Sequence, residues 1–174
     1  MYYTVQMYGI MILYIRMKVN TVGKKFSEVE RAYIAGFLDG DGCIMATIEK
    51  HSEKKFGFRV RVTLKISQSD RKIIDWFYSK SGVGYVQKNR TTHDWIVRDQ
   101  SVVREIIQLL LPYLKVKKQQ AQNAIIILNS KIISQQDLLR IARLADALSR
   151  LNTRSKGRRK NFAAMIQEDF SRND

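Results

Sequence analysis

The stretch AYIAGFLDGDGCI, residues 32–44, begins as an apolar segment of helical character and ends in two aspartates interleaved with three glycines. A carboxylate at the C-terminal end of a helix meets the negative end of the helix dipole, so the position is unfavourable unless something compensates for it. The glycines leave the space around both carboxylates free of side chains. The main question that the sequence raises is therefore which group compensates for these charges.

Small residues recur along one face of this predicted helix. Gly36 and Gly40 are four residues apart, and Ala32 lies on the same helical face. Small residues at this spacing allow two helix backbones to approach closely; the rule comes from membrane helices, but its steric reason also holds in water. We therefore expect this helix to pack against another helix like it.

The two aspartates, Asp39 and Asp41, would emerge at the end of such a helix pair. A divalent cation between carboxylates would overcome both their mutual repulsion and the adverse dipole. The simpler alternative is a solvated helix end at which glycine stops the helix. The chemistry of the residues alone does not rank one aspartate above the other as a metal ligand.

The chain is strongly basic. Its 174 residues include 31 lysines and arginines against 16 aspartates and glutamates, which gives a formal net charge of +15. Such a positive net charge favours a polyanionic partner, most simply nucleic acid, although a ribosome-bound or lipid-bound basic protein is an alternative.

The single cysteine, Cys43, excludes an internal disulfide and a cysteine-rich zinc site. Two histidines argue against nucleases that combine a histidine base with a histidine-ligated metal.

The N-terminal region carries an apolar run at residues 7–15 that is too short to span a bilayer. Basic residues follow this run rather than precede it, which argues against a secretory signal. We expect no membrane partner and an intracellular location, without distinction between cytoplasm, nucleoid and organelle matrix. Residues 1–25 are expected to form an extension, and residues 26–174 a single domain.

Hydrophobic periodicity and capping signals predict the element order α-β-β-α-β-β-α, followed by further helices. The predicted ranges are a helix at 28–39 with Ser27 as N-cap, strands at 43–50 and 58–66, a helix at 69–80, strands at 84–89 and 94–99, a helix opened by Ser101 and closed by Pro112, and helices at 117–130, 134–150 and 159–170. This order is typical of an α+β domain with an antiparallel sheet. The basic stretch RLNTRSKGRRK, residues 150–160, is the best candidate for an exposed connector.

The strand at 58–66, FRVRVTLKI, alternates strictly, so that one face is wholly apolar and the other is basic. A twisted antiparallel sheet can follow the major groove of DNA with one face, where charged and amide side chains contact base edges. An ordinary sheet with a basic solvent face is the alternative. The positions predicted to contact DNA are Met45, Thr47, Glu49, His51, Arg59, Arg61, Lys65, Tyr85, Gln87, Asn89, Asp94 and Ile96.

The decapeptide YIAGFLDGDG at residues 33–42 resembles the motif of the LAGLIDADG homing endonucleases. The element order and the segments GVGYV (82–86) and PYLKVKKQQA (112–121) resemble the branch with one motif per chain, and the resemblance covers about 27–170. It implies the LAGLIDADG fold, with a curved antiparallel DNA-binding sheet and additional C-terminal helices at about 134–170. One motif per chain implies a homodimer joined through the motif helices. The implied interface residues are Ala32, Ala35, Gly36, Asp39 and Gly40.

The resemblance also implies roles for individual active-site residues. Asp41 matches the metal-binding aspartate of the motif, Gly40 would contribute its backbone carbonyl, and Asp39 matches a less direct position that shapes the helix end. Gln68 matches a residue that orients the attacking water, and Lys117 matches a lysine that stabilises developing charge. A further basic position of the same solvent network is Lys72, where lysine gives a weaker phosphate contact than a bidentate arginine.

The activity implied by the resemblance is that of a site-specific, intron-encoded homing endonuclease. It would hydrolyse both strands of DNA with Mg²⁺, for which Mn²⁺ is a substitute, and leave 3′ overhangs. Two half-sites of nine or ten pairs predict a pseudo-palindromic target of about 20 base pairs.

Other functions stay open at this point. A rival nuclease site would combine Asp41 with the segment 53–55, but its pattern is common by chance and falls in a predicted turn. An intron RNA maturase or a DNA-binding regulator without activity would use the same fold, and a basic scaffold protein is the least specific alternative. Retention of the matched aspartate, glutamine and lysine favours an active nuclease. Selective binding of intron RNA without divalent-dependent cutting would instead indicate a maturase.

Overall fold

The computed structural model describes residues 26–152 and 160–173, which contain four strands and six helices. The elements are α1 (Glu28–Asp41), β1 (Gly42–Lys50), β2 (Phe58–Gln68), α2 (Arg71–Ser81), β3 (Tyr85–Asn89), β4 (Thr92–Val97), α3 (Gln100–Leu110), α4 (Lys118–Asn129), α5 (Gln135–Leu151) and α6 (Phe162–Asn173). The predicted order α-β-β-α-β-β-α with further helices is confirmed. The predicted extension at 1–25 and the part of the basic connector at 153–159 lie outside the described residues.

The helix α1 carries the aspartate motif. Its N-terminus is a capping box, in which the Ser27 hydroxyl accepts from the Glu30 backbone N–H and the Glu30 carboxylate accepts from the Ser27 N–H, which confirms the predicted N-cap. The helix runs to Asp41, two residues past the predicted end, and passes directly into β1 at Gly42. A Cβ at Gly42 would lie 2.7 Å from the Leu38 Cα, so only glycine permits this close turn.

The hairpin between β3 and β4 differs from the prediction. Asn89 pairs with Thr92, so the strands are joined by a two-residue turn in which Arg90 has φ of 51°. β4 therefore begins two residues before the predicted position 94. Polarity suggested a longer loop, but the backbone ladder does not depend on side-chain polarity.

The start of α3 also differs from the prediction. Asp99, not Ser101, is the N-cap, because its Oδ1 accepts from the backbone N–H groups of Ser101 at 3.0 Å and Val102 at 3.1 Å. The helix ends at Leu110, just before the proline, as predicted.

The four strands form one antiparallel sheet in the order β1-β2-β4-β3. Directly opposed residues share a face, so the register sorts every strand residue onto one of two faces. The apolar face holds Ile44, Ala46, Ile48, Phe58, Val62, Leu64, Ile66, Trp95 and Val97, all of them buried. Helical side chains such as Leu38, Phe77 and Ile107 join these residues in one core, so this face of the sheet packs against the helices.

Two acidic groups organise the starts of the C-terminal helices. α5 begins with a capping box, in which Asp137 and Ser134 exchange hydrogen bonds. Asp146, within α5 and buried, accepts from the backbone N–H groups of Phe162 and Ala163 and so holds the start of α6. Within the described ranges, no helix has the length and apolar character needed to cross a membrane.

Candidate active site and nucleic-acid face

The Asp39 carboxylate forms its hydrogen bonds within its own chain, with the segment at residues 115–117. Its Oδ2 accepts from the backbone N–H groups of Lys115 at 2.7 Å and Val116 at 3.2 Å, and its Oδ1 accepts from that of Lys117 at 2.8 Å. These three N–H groups lead into α4, whose N-cap Lys117 makes no side-chain cap. Asp39 therefore binds the segment that leads into α4 rather than the N–H groups of its first turn, and its negative charge is favourable near this positive helix end.

The Lys117 side chain completes a reciprocal exchange between the two helices. Its Nζ donates to the backbone carbonyl of Asp39, in the last turn of α1, which contains no basic residue of its own. A cation is favourable at this negative helix end. The charge of Asp39 is thus compensated within one chain, since Asp39 lies near the start of α4 and Lys117 lies at the end of α1.

Asp41 stays exposed and is held from one side. Its Oδ2 accepts from Gln68 Nε2 at 2.8 Å, and Gln68 is the last residue of β2. The Gln68 Oε1 in turn accepts from the Ser69 backbone N–H at 3.1 Å, which fixes the orientation of the amide. The α1–β1 junction and the end of β2 therefore place a fixed carboxylate at the molecular surface.

A pocket of about 650 Å³ brings the predicted residues Gly40, Asp41, Gln68 and Lys117 together. Lys72 is not part of it: this exposed residue of α2 lines a neighbouring depression, which shares only Gln68 with the pocket. Among the residues described, no group of three or more histidine, cysteine or acidic side chains is placed to hold a metal. Of the two motif aspartates, only Asp41 is fully exposed in a single chain.

Several pocket residues had no signal in the sequence. Asn152 reaches the pocket because its Nδ2 donates to the Ile44 carbonyl at 2.9 Å, a contact between segments 108 residues apart. Cys43 also lines the pocket, and burial raises the pKa of its thiol despite the nearby Lys65 and Lys117. The thiol is therefore protonated at neutral pH and is a poor nucleophile.

The outer face of α1 is open and lined by small residues. Ala32, Gly36 and Gly40 are exposed, and no atom lies within 4 Å of the Cβ that Gly36 lacks. Val29, at 78% exposure, continues this face toward the N-terminus. The expectation for Ala35 was wrong, because its side chain is 0% exposed and packs in the core.

Asp39 likewise does not present its carboxylate on the outer face of α1, where it was expected to contribute to an interface. Which side of the helix meets the sheet depends on the tertiary packing, and the spacing of small residues does not reveal it.

The polar face of the sheet carries the predicted DNA-contacting set. The register pairs Thr47 with Arg61, Glu49 with Arg59, and Lys65 with Ile96. It also places Met45, Tyr85, Gln87, Asn89 and Asp94 on the same face. His51 follows β1 at the end of this face and contacts the Arg59 guanidinium.

Two members of that set are covered, contrary to the expectation that they point freely outward. Asp94 is 4% exposed and Ile96 is 5% exposed. The Asp94 Oδ2 accepts from Lys65 Nζ at 3.2 Å and from Asn89 Nδ2 at 3.4 Å, so side chains of the neighbouring strands lie against it. Alternation along a strand predicts the face of a residue but not what its neighbours cover.

Ion pairs order the cations of this face. Glu49 lies 3.9 Å from Arg59 and 3.8 Å from Arg61, and all three side chains are partly open to solvent. Arg98 stacks over the Tyr85 ring at 5.7 Å. Such partly exposed pairs add little stability, but they limit the directions in which the guanidinium groups point.

Comparison with known proteins gives the same assignment by independent means. The family model described as LAGLIDADG endonuclease matches residues 34–129. The chain is 29% identical over 133 residues to the DNA endonuclease I-CreI of Chlamydomonas reinhardtii. The aligned region covers 74% of this chain and 82% of that protein. It is 31% identical over 135 residues to the DNA endonuclease I-CvuI of Chlorella vulgaris, which covers 74% and 83% respectively.

Solved structures show the same similarity. The I-CvuI homing endonuclease in complex with the I-CreI target superposes with a TM-score of 0.73 at 30% identity, covering 83% of this chain and 94% of that one. The archaeal homing endonuclease I-Vdi141I in complex with DNA has a TM-score of 0.71 over 81% and 96% of the two chains; at 19% identity it shows the fold alone.

Proposed function

The chain belongs to the LAGLIDADG endonuclease family, and we propose that it acts as a homodimeric, intron-encoded homing endonuclease that cuts both strands of a specific DNA site with a divalent metal. One observation carries this proposal. The exposed Asp41 carboxylate, held at 2.8 Å by Gln68, shares a pocket with Lys117 at the end of a helix whose outer face is open.

The dimer follows from two features of α1. Its outer face presents Ala32, Gly36 and Gly40, which allow a second backbone to approach closely. The pocket of one chain holds a single exposed motif carboxylate, so a second copy packed along α1 would supply the other Asp41. The active site is therefore complete only in the dimer.

The donors present fit Mg²⁺. This ion prefers oxygen ligands and is usually held by one or two carboxylates together with substrate phosphates. Asp41 from each chain and the Gly40 carbonyl are oxygen donors, and the exposure of Asp41 leaves room for a phosphate. When bound, the ion would supply Lewis-acid stabilisation of the phosphodiester undergoing hydrolysis. I-CvuI has been solved with DNA in the presence of 2 mM Mg, where the I-CreI target was not cleaved, and in the presence of 2 mM Ca. These structures support the use of a divalent ion, and Mn²⁺ is expected to substitute.

The side chains around Asp41 have separate tasks in this proposal. Gln68 keeps the carboxylate in place and its amide can hold a water molecule beside the scissile phosphate. The Lys117 ammonium lies in the same pocket and would stabilise the negative charge that develops during cleavage. Lys72, outside the pocket, would contact the flanking phosphate or its solvent. No side chain needs to act as a dedicated base.

The polar face of the sheet would contact the target in the major groove. Its longest strand, β2, has eleven residues and is about 36 Å long, which matches about ten base pairs. Two-fold symmetry doubles this to a pseudo-palindromic target of about 20 base pairs. The mixture of arginine, amide and acidic side chains suits contacts to base edges better than a uniform phosphate contact. Cleavage on both sides of the symmetry axis would leave 3′ overhangs.

The proposal is tested by selecting bound sequences from a random duplex library of about 24 base pairs and then adding Mg²⁺ to the bound pool. A pseudo-palindromic consensus that is cut on both strands near its centre is the expected result. Tight, sequence-specific binding without cutting would contradict the nuclease and indicate a DNA-binding regulator. Binding that has no sequence preference would contradict the whole proposal.

A further inference from the structure

The two aspartates of the motif are two residues apart but have different surroundings. Both oxygens of the Asp39 carboxylate are engaged by the backbone N–H groups of Lys115, Val116 and Lys117. Asp41 accepts from a single side chain and stays open to the pocket. Asp39 lines the same pocket, but both of its oxygens already accept from backbone N–H groups, so we look for its contribution in the segment that it holds.

That segment, residues 115–117, carries the pocket lysine. It is exposed at Lys115 and Val116, and Val116 is 71% exposed, so little side-chain packing holds it. It joins two buried elements, since Leu114 before it and Ala121 within α4 are both in the core. Between these anchors the three hydrogen bonds to Asp39 tie residues 115–117 to the motif helix.

The position of the Lys117 ammonium depends on the same contacts. Its Nζ donates to the carbonyl of Asp39 itself, at the end of α1 and next to the pocket that contains Asp41. A lysine side chain is flexible, so the position of the backbone that carries it limits where its charge can lie. The carboxylate fixes the Lys117 backbone, and the carbonyl orients its side chain.

We propose that Asp39 is a positioning residue for Lys117: by holding the backbone of residues 115–117 it keeps the Lys117 ammonium beside the Asp41 pocket. The inference rests on the proposed function for the use of that ammonium in cleavage. It assigns the first motif aspartate to the placement of the lysine and the second to the metal.

The test compares Asp39→Asn with Asp99→Asn. The substitution at Asp39 would keep the shape of the side chain but turn an NH₂ group toward backbone donors. Asp99 is a matched control, because its carboxylate also accepts from two backbone N–H groups at a helix start but caps α3, away from the pocket. Thermal unfolding without DNA shows whether each variant folds.

The first measurement needs neither metal nor DNA. Amide hydrogen exchange of residues 115–117 should be at least about tenfold faster in Asp39→Asn and unchanged in Asp99→Asn, because only Asp39 protects these amides. Equal exchange rates in the parent and Asp39→Asn would overturn the inference.

The second measurement is a double-mutant cycle on single-turnover cleavage. Asp39→Asn alone should slow cleavage by at least about tenfold with DNA affinity changed by less than about threefold. In a Lys117→Ala background, Asp39→Asn should slow it by less than about twofold further, because the lysine that it positions is absent. Equal effects in both backgrounds would overturn the inference and indicate a structural role only.

Two further outcomes are distinguishable. If Asp39→Asn does not fold, the same double-mutant cycle is measured with Asp39→Glu. This variant retains the negative charge but displaces residues 115–117 by the length of one methylene group. A parent protein that cuts no target refutes the proposed function, whereas the exchange rates still decide whether Asp39 holds the segment that carries Lys117.

Discussion

Gln68 donates a hydrogen bond to the Asp41 carboxylate at 2.8 Å, although the two residues end different elements that are 27 positions apart in the chain. The contact joins the end of β2, the strand at the centre of the polar face, to the end of the motif helix α1. The surface that would recognise DNA and the carboxylate that would take part in cutting it are therefore linked by one side chain.

Replacing Asp41 should separate binding from cleavage. Asp41→Asn removes the negative charge needed to hold a divalent ion, and we expect cleavage to fall by at least about a thousandfold with DNA affinity changed by less than about threefold. Cleavage and binding of one labelled target measure this. Glu28→Gln, at the opposite end of α1, is the control and should cut like the parent. Comparable nicking by Asp41→Asn would contradict the assignment.

Replacing Gln68 tests the link between sheet and carboxylate. Gln68→Leu keeps the approximate volume and loses the hydrogen bond to a charged group, which is typically worth about 1.5–3 kcal/mol. We expect cleavage to slow by about ten- to a hundredfold, with a fall in Mg²⁺ affinity measured by titration of the cleavage rate. An unchanged Mg²⁺ dependence would mean that Gln68 does not orient Asp41.

Replacing Arg61 tests whether the polar sheet face recognises bases. Arg61→Ala should relax specificity at one symmetric pair of target positions, at a cost of about 1–3 kcal/mol per contact. Competition binding against single-substituted targets measures this at each position. Arg98→Ala, next to the end of β4, is a comparison that removes the same charge. A uniform loss across all targets would mean that Arg61 contacts only phosphate.

Replacing Gly36 tests the dimer. In the monomer the position is open, so Gly36→Leu should fold and even gain helix propensity, by somewhat less than the roughly 0.8–1 kcal/mol that separates glycine from alanine. The leucine would prevent close approach of two α1 helices, and we expect a monomer that does not cut both strands. Sedimentation and cleavage assays measure both properties. Gln122→Leu, at an exposed position of α4, is the control and should stay dimeric. A dimeric Gly36→Leu protein would contradict the proposed interface.

Asp137 should contribute to stability against acid. The hydroxyl of Ser134, followed by the backbone N–H of Ile133, holds the pKa of Asp137 below its ordinary value of 3.8. A carboxyl with a lowered folded-state pKa stabilises the fold above its unfolded pKa, and this contribution is lost as the pH falls through the folded value. The Tm should therefore fall below about pH 4, and less steeply in Asp137→Asn. An identical slope in Asp137→Asn would contradict the role of this cap.

Local features were predictable because their causes are local. The capping boxes at Ser27 and Ser134 depend on residues three positions apart, and both are present. The strict alternation of β2 separated the apolar from the basic side chains because successive residues of a strand point to opposite faces. The motif itself was enough to indicate the family, since its glycines and aspartates have few other uses in that arrangement.

Other features depended on what lies nearby in space. Ala32 and Ala35 are the same residue type on one helix, and the sequence does not distinguish them. Only the packing of α1 on the sheet buries Ala35 and leaves Ala32 exposed. The cover over Asp94 comes from Lys65 and Asn89, which lie on two other strands. The hydrogen bonds from residues 115–117 to Asp39 cross more than 75 residues. No periodicity or short motif carries such information.

The sequence by itself thus determined the elements, the basic face and the motif, because hydrogen bonding within a turn and the alternation of a strand act over a few residues. The tertiary structure alone decided the separate tasks of the two aspartates. It brings the start of α4 to the end of α1, where the Asp39 carboxylate accepts from the backbone N–H groups of the residues just before α4 and the Lys117 ammonium donates to a backbone carbonyl in the last turn of α1.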